Sequence, residues 1–193
     1  MYNIAVGASR TQKHYKNITV TWADLMKRLE TPTRTGETAA EFKSLNKAEK
    51  SRLKDVGGFV GGYLAKGLRT KVKYRSLVCL DLDYATPESD VWGLWQTAFG
   101  CRAALYSTHS HTPEAPRLRL VAALSRPVTP DEYQAVSRKI ADCLGMEMFD
   151  PTTFEPARLM YWPSCPKDGQ YIFRHCDGKA LDPDEILGRY EDW

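Results

Sequence analysis

Apolar residues recur along the chain with two different periods, and the changes of period mark its elements. Residues 2–6 (Tyr-Asn-Ile-Ala-Val) read as a short strand. Thr21 caps a predicted helix running to about Leu29, with Trp22, Leu25, Met26 and Leu29 on one face. A polar loop covers 31–36, and Asn46 with Glu49 makes a capping-box pair for a helix ending near Val56. Gly57, Gly58, Gly61 and Gly62 then bracket Phe59 and Val60. Paired glycines there imply a turn where backbone closely approaches something, either nucleic acid or another strand.

From Ser76 the pattern sharpens. Ser76 to Asp83 reads as a buried strand, and Thr86-Pro87 as the start of a helix to Gly100. Cys101 to His109 and Arg117 to Leu124 read as two strands, joined through the proline-containing turn 110–116 into a hairpin. Thr129-Pro130-Asp131-Glu132 opens a helix whose apolar face is Tyr133, Val136, Ile140 and Leu144, with Gly145 placed to end it. A fourth strand is expected around Arg158 to Trp162, and Asp182-Pro183 starts a last short helix. The order is β-α-β-β-α-β. This predicts an α/β (α+β) palm of ferredoxin-like or RNA-recognition type: a four-stranded antiparallel sheet with helices on one face and the other face open. The two central strands are expected to lie side by side and parallel.

Charge divides the chain at about residue 75. Residues 1–75 hold 16 Lys/Arg against 6 Asp/Glu, a net of +10; residues 76–193 hold 11 against 18, a net of −7. A basic N-terminal α/β subdomain (1–75) beside an acidic palm (76–193) suits a polyanion-binding surface next to a carboxylate site. A solvated basic face with no partner fits the charge count equally well. No apolar run is long enough to span a bilayer, and no signal peptide is expected. The five cysteines are odd in number and form no CxxC pair, which suits reduced thiols in a cytoplasmic protein. Cys165, His175 and Cys176 match no common zinc spacing.

Candidate chemistry gathers on the palm. Alternation in residues 77–83 puts Val78, Leu80 and Leu82 on one face and Cys79, Asp81 and Asp83 on the other. Two carboxylates on one side of a strand repel unless a cation lies between them, and hard oxygen donors suit Mg²⁺ or Mn²⁺. Alone, such a pair also reads as an ordinary strand end. Ser107 and His109 are expected to share a face beside that pair, where both can donate hydrogen bonds to phosphate. Arg117 and Arg119 share a face of the next strand and suit phosphate oxygens or local carboxylates. Asp150 precedes Pro151 near the predicted fourth strand and is a candidate third carboxylate, with Arg158 in reach. Glu155 lies in a proline-flanked loop and suits that role less.

An acidic pair, a Ser-x-His strand and a late apolar-Asp step, in this order, resemble the archaeo-eukaryotic primase superfamily. Residues 107–120 and 149–164 look like the primase module of phage and plasmid primase-helicases; the resemblance covers about 76–163. It implies a template-dependent nucleotidyltransferase that makes or extends primers on single-stranded DNA from dNTP or NTP. It also implies that Asp81, Asp83 and Asp150 are catalytic and hold two divalent ions, Mg²⁺ or Mn²⁺. Ser107 and His109 would bind the triphosphate, with Arg117, Arg119 and Arg158 as further phosphate contacts. Template DNA would lie along Arg69, Lys71 and Lys73. The second acidic residue is Asp where some relatives have Glu, which changes reach more than chemistry. No GxxxxGK[ST] loop is present, so a helicase motor is expected in a further domain or separate protein. Such a protein would work in the cytoplasm of a bacterial host, with no membrane partner.

Two other readings compete. His109-Ser110-His111 offers a histidine pair for a replication-initiation endonuclease of the HUH type, with Tyr133 the nearest tyrosine on a following helix. A non-catalytic single-stranded nucleic-acid-binding module would stack bases on open-face aromatics. The corresponding positions hold Asp81, Asp83, Ser107 and His109 instead.

Overall fold

The computed structural model describes residues 1–192. In chain order they form β1 (Tyr2–Gly7), β2 (Lys16–Val20), α1 (Trp22–Glu30), β3 (Thr33–Arg34), α2 (Ala39–Ser44), α3 (Lys47–Lys54), β4 (Gly58–Val60) and β5 (Gly62–Leu64). There follow β6 (Val72–Leu82), α4 (Val91–Ala98), β7 (Ala103–Ser107), β8 (Leu118–Val128), α5 (Pro130–Leu144), β9 (Met160–Tyr161), β10 (Ser164–Cys165), β11 (Phe173–Cys176) and α6 (Pro183–Leu187). Among the described residues, no helix is long and apolar enough to cross a membrane.

The palm is a five-stranded antiparallel sheet, ordered β11-β7-β8-β6-β5. Alternation along β6 behaves as its sequence requires. Val78, Leu80 and Leu82 join Leu118, Leu120 and Trp95 in a core beneath α4, α5 and α6. Leu77 and Cys79 point the other way, into a second core with Tyr106, Val121, Ile4, Leu25 and Phe59. The sheet face expected to be open is therefore covered over most of its length by α1 and a second sheet, β2-β1-β4-β9. Replacing the fully buried Leu80 with alanine is expected to cost about 2–5 kcal/mol, by lost transfer energy plus a cavity. Urea denaturation would read this as a fall in midpoint without a change of slope.

Three expectations about element placement change in detail. The two strands carrying the acidic pair and the histidine are parallel but not adjacent, because β8 lies between them and pairs with both. The hairpin return that makes β8 antiparallel to β7 fills the space beside β6. The segment expected as a fourth palm strand, Met160–Tyr161, pairs with β4 of the second sheet, while the free edge of β6 is taken by β5. The helix expected from Thr86 starts four residues later, at the Asp90 cap whose side chain accepts from the Gly93 N–H. Thr86 instead closes a local turn with Ser89. The paired glycines serve strand contact: a Cβ at Gly58 would lie 2.4 Å from the Met160 carbonyl oxygen, and one at Gly62 would lie 2.1 Å from that of Tyr74.

Candidate active site

Because β6 and β7 run parallel on either side of β8, their C-terminal ends and the N-terminal end of β8 meet at one edge of the palm. Asp81 and Asp83 leave β6 there, His109 follows β7, and Arg117 and Arg119 enter with β8. All but Arg117 line one cleft, together with Lys54, Tyr106, Thr108, Arg158, Tyr161 and Ser164.

Each predicted carboxylate meets a predicted arginine. Arg119 places Nε at 2.7 Å and Nη2 at 2.6 Å from Asp81 Oδ1. Its Nη1 donates to the Tyr106 hydroxyl at 3.3 Å and to the Tyr161 carbonyl at 2.8 Å. Burial alone would lower the Arg119 pKa, but the adjacent Asp81 charge outweighs it and holds the guanidinium well above its ordinary value. Burial pushes the Tyr106 phenol up to about 12, so it stays neutral as a partner. Arg117 pairs with Asp83 at 3.2 Å in a half-exposed contact. Arg158 bridges Asp150 at 2.8 Å and the far oxygen of Asp81 at 3.4 Å.

Asp150 is brought to the site by backbone rather than by a strand. Its N–H donates to the Asp81 carbonyl at 3.0 Å, and the Asp81 N–H donates to Thr153 Oγ1 at 2.7 Å. The Asp150 carboxylate caps the following short turn by accepting from the Thr152 N–H and hydroxyl. Among the described residues, no group of three His, Cys, Asp or Glu stands gathered as a metal site. The donor chemistry nevertheless suits a hard divalent ion. Asp81 and Asp83 offer oxygen donors in one cleft, and Arg158, one-third exposed and 3.4 Å from Asp81, is the partner most easily displaced.

His109 is 4% exposed, with Nδ1 2.8 Å from Ser164 Oγ and Nε2 2.9 Å from Glu37 Oε1. A carboxylate at Nε2 fixes the proton there, leaving Nδ1 to accept from the Ser164 hydroxyl. Burial lowers the His109 pKa against the raising pull of Glu37. Burial raises Glu37, but hydrogen bonds from Thr35, its own backbone and His109 outweigh it and hold the carboxyl below its ordinary value. Burial also lowers the pKa of His111. The unfolded chain therefore binds protons on both histidines before the folded protein does. Stability is expected to fall as pH drops through about 6.5, the ordinary histidine value, and to fall again once Glu37 protonates below its ordinary 4.5. Melting temperatures from pH 7.5 to 5 would show this loss, and His109→Gln would remove the part that His111 does not carry.

The other predicted residues are placed as follows. Ser107 does not share the His109 face. Within β7 it shares the helix-side face with Ala103 and Leu105, and its Oγ accepts from the Ile172 N–H at 2.9 Å. The period-two reading fails because β7 ends at Ser107 and His109 lies beyond it. Arg69 lines a second cavity with Arg10 and Thr11, which shares Asp81, Arg119 and Arg158 with the first. Lys71, just before β6, and Lys73, near its start, are exposed. Glu37, Lys54, Ser164 and Arg10 carried no motif signal in the sequence. His111 does not converge with His109: its Nδ1 accepts from the Arg117 N–H. Tyr133 is fully buried, with its hydroxyl donating to the Cys79 carbonyl, which removes it as a nucleophile. Tyr106, the aromatic that faces the covered side of β7, is also buried.

Acidic, basic and imidazole groups at one edge of an antiparallel sheet, backed by helices, define an α/β palm domain. Its fold is similar to that of the solved "Cyanophage S-2L Primase-Polymerase (PrimPol), AEP domain (PP-N190)". The two share a TM-score of 0.53 and 13% sequence identity, over 96% of this chain and 86% of that one. The model of the VapE N-terminal domain matches residues 1–193, and the chain belongs to that family. The resemblance to the archaeo-eukaryotic primases read from the sequence is thus matched at the level of the fold. Among curated proteins, none matches the chain in sequence.

Proposed function

We propose that this domain is a template-dependent nucleotidyltransferase that synthesises or extends primers on single-stranded DNA during phage or plasmid replication. The observation that carries this reading is the meeting of Asp81, Asp83, His109, Arg119 and Arg158 in one cleft on a palm of primase-polymerase fold. Asp81 and Asp83, joined by Asp150 once Arg158 turns away, would hold Mg²⁺ or Mn²⁺. When bound, these ions supply charge neutralisation for a triphosphate and acidify a strand's 3′-hydroxyl. The chain's own residues do the rest. His109 and Lys54 hold the triphosphate from one side, with Arg117 and Arg158 reaching it from the carboxylate side. Ser107 acts behind them, fixing the end of β7 through Ile172. Arg119 stays with Asp81 and holds that carboxylate in place. Catalysis rests on positioning and on fixed charge in the cleft.

The second cavity, with Arg10 and Arg69, suits the phosphates of the strand whose end meets the nucleotide. Template DNA follows the basic stretch through Lys71 and Lys73, so that residues 1–75 supply the DNA-binding part and lend Lys54 to the catalytic part at 76–193. A helicase domain or protein would supply unwound template.

Unprimed single-stranded DNA, labelled nucleotides and Mn²⁺ or Mg²⁺ test this reading. Short labelled oligonucleotides are the expected product. Extension of an added primer without initiation would make the domain a polymerase that needs help to start. Metal-independent DNA binding with no incorporation under either condition would leave a binding module and overturn the proposal.

A further inference from the structure

Both ring nitrogens of His109 are occupied within the protein, by Ser164 at Nδ1 and by Glu37 at Nε2. Glu37 arrives from the segment between β3 and α2. Thr35 Oγ1 donates to the same Glu37 oxygen at 2.7 Å, and Phe42 of α2 lies against the imidazole at 4.5 Å between ring centroids. The other carboxylate oxygen, Oε2, is buried with no hydrogen-bond partner. A carboxylate buried with one oxygen unsatisfied is costly and is not what fold stability alone would select. Its bonded oxygen occupies the position on His109 that a phosphate oxygen would take. Beside it, a Cβ at Gly36 would meet nothing within 4 Å, so the chain has room to shift there. The same α2–α3 segment also brings Lys54 into the cleft.

Resting on the reading of His109 as a phosphate ligand, we propose that Glu37 is an internal competitor for the nucleotide site. It is an internal anion on His109 that an incoming nucleotide must displace, and it sets how much negative charge the ligand has to bring. The step is an exchange of one anion for another, with no covalent bond made or broken. A nucleoside monophosphate recovers little beyond the His109 contact it takes from Glu37. A triphosphate reaches His109 and also spreads its charge over Lys54 and the cleft arginines, which offsets the loss of the internal pair. Glu37 thereby weakens every ligand that binds through His109 by the same factor, so that a monophosphate, with few other contacts, is held too weakly to stay, and it keeps the histidine ordered between turnovers.

Calorimetric titration with dATP and, separately, dAMP tests this, in Mg²⁺ and without DNA so that no product forms. The proteins are wild type, Glu37→Gln, Glu37→Ala and His109→Ala. Both Glu37 variants are expected to bind dAMP and dATP each about tenfold more tightly than wild type, the worth of one charge-assisted hydrogen bond. Unchanged or weaker dAMP binding in both variants overturns the proposal, since a carboxylate that merely positions His109 would give that result. His109→Ala separates this from failure of the underlying reading. If it loses dATP affinity while the Glu37 variants behave as wild type, only the exchange fails. If it keeps wild-type dATP affinity, His109 is no phosphate ligand and both fall.

Discussion

Replacing Asp83 with alanine is expected to lower nucleotide incorporation by about a thousandfold or more while the protein melts within a few degrees of wild type. Loss of one fixed electrostatic stabiliser in an active site already costs about 10²–10³ in rate, and Asp83 would be a direct ligand of the reacting centre. Its effect on stability is small for a geometric reason. The Asp83–Arg117 pair is 3.2 Å long with both side chains more than one-third exposed, and pairs of that kind contribute about 0–1 kcal/mol. Single-turnover incorporation on primed DNA gives the rate, and a thermal melt gives the control. Full activity in a folded Asp83→Ala protein would remove this carboxylate from the chemistry.

Arg119→Leu is expected to destabilise the domain by about 3–5 kcal/mol, the cost of breaking a buried pair from one side. Arg119 and Asp81 are 7% and 6% exposed at the side chain, so Asp81, left with only the longer 3.4 Å contact to Arg158, has little access to water. The change also strips donors from the Tyr106 hydroxyl and the Tyr161 carbonyl. Equilibrium denaturation reads the loss. Asp81→Asn in the same background should restore part of it, because the poorly compensated charge then disappears. A single Arg119→Leu change that leaves the midpoint unmoved would mean that Asp81 is hydrated or protonated there. For the same reason, inactivity of Asp81→Ala alone says little about catalysis. That variant leaves Arg119 buried and uncompensated, so Asp83 is the more informative carboxylate to remove.

The strands and helices with long, regular patterns were legible in the sequence. The alternation of Val78, Leu80 and Leu82 against Cys79 and Asp81 holds residue by residue. The caps at Thr21, Asn46, Thr129 and Asp182 all start helices. Other features carried too little local information. Strands β3, β4, β9 and β10 are two or three residues long, too short for a period, and the β3–β10 and β4–β9 pairings join residues about a hundred positions apart or more. The six-residue helix α2 has its own capping box at Thr38 and Glu41, but no apolar repeat follows to mark it. Site residues that belong to ordered strands, such as Asp81 and Arg119, could be placed by parity. Ser107 and His109 could not, because the chain turns between them. Glu37 and Ser164 meet His109 only through tertiary packing, which no local pattern encodes.

The pairing of β4 with β9 and of β3 with β10 has a kinetic consequence. Residues near the start of the chain complete their sheets only with residues 160–165, so the native contact order is high. Loop closure across that span must come before the reward of pairing, which slows folding. During synthesis the basic first part would wait with exposed strand edges until the last quarter of the domain emerges. The cleft between them would form last, as one late cooperative event.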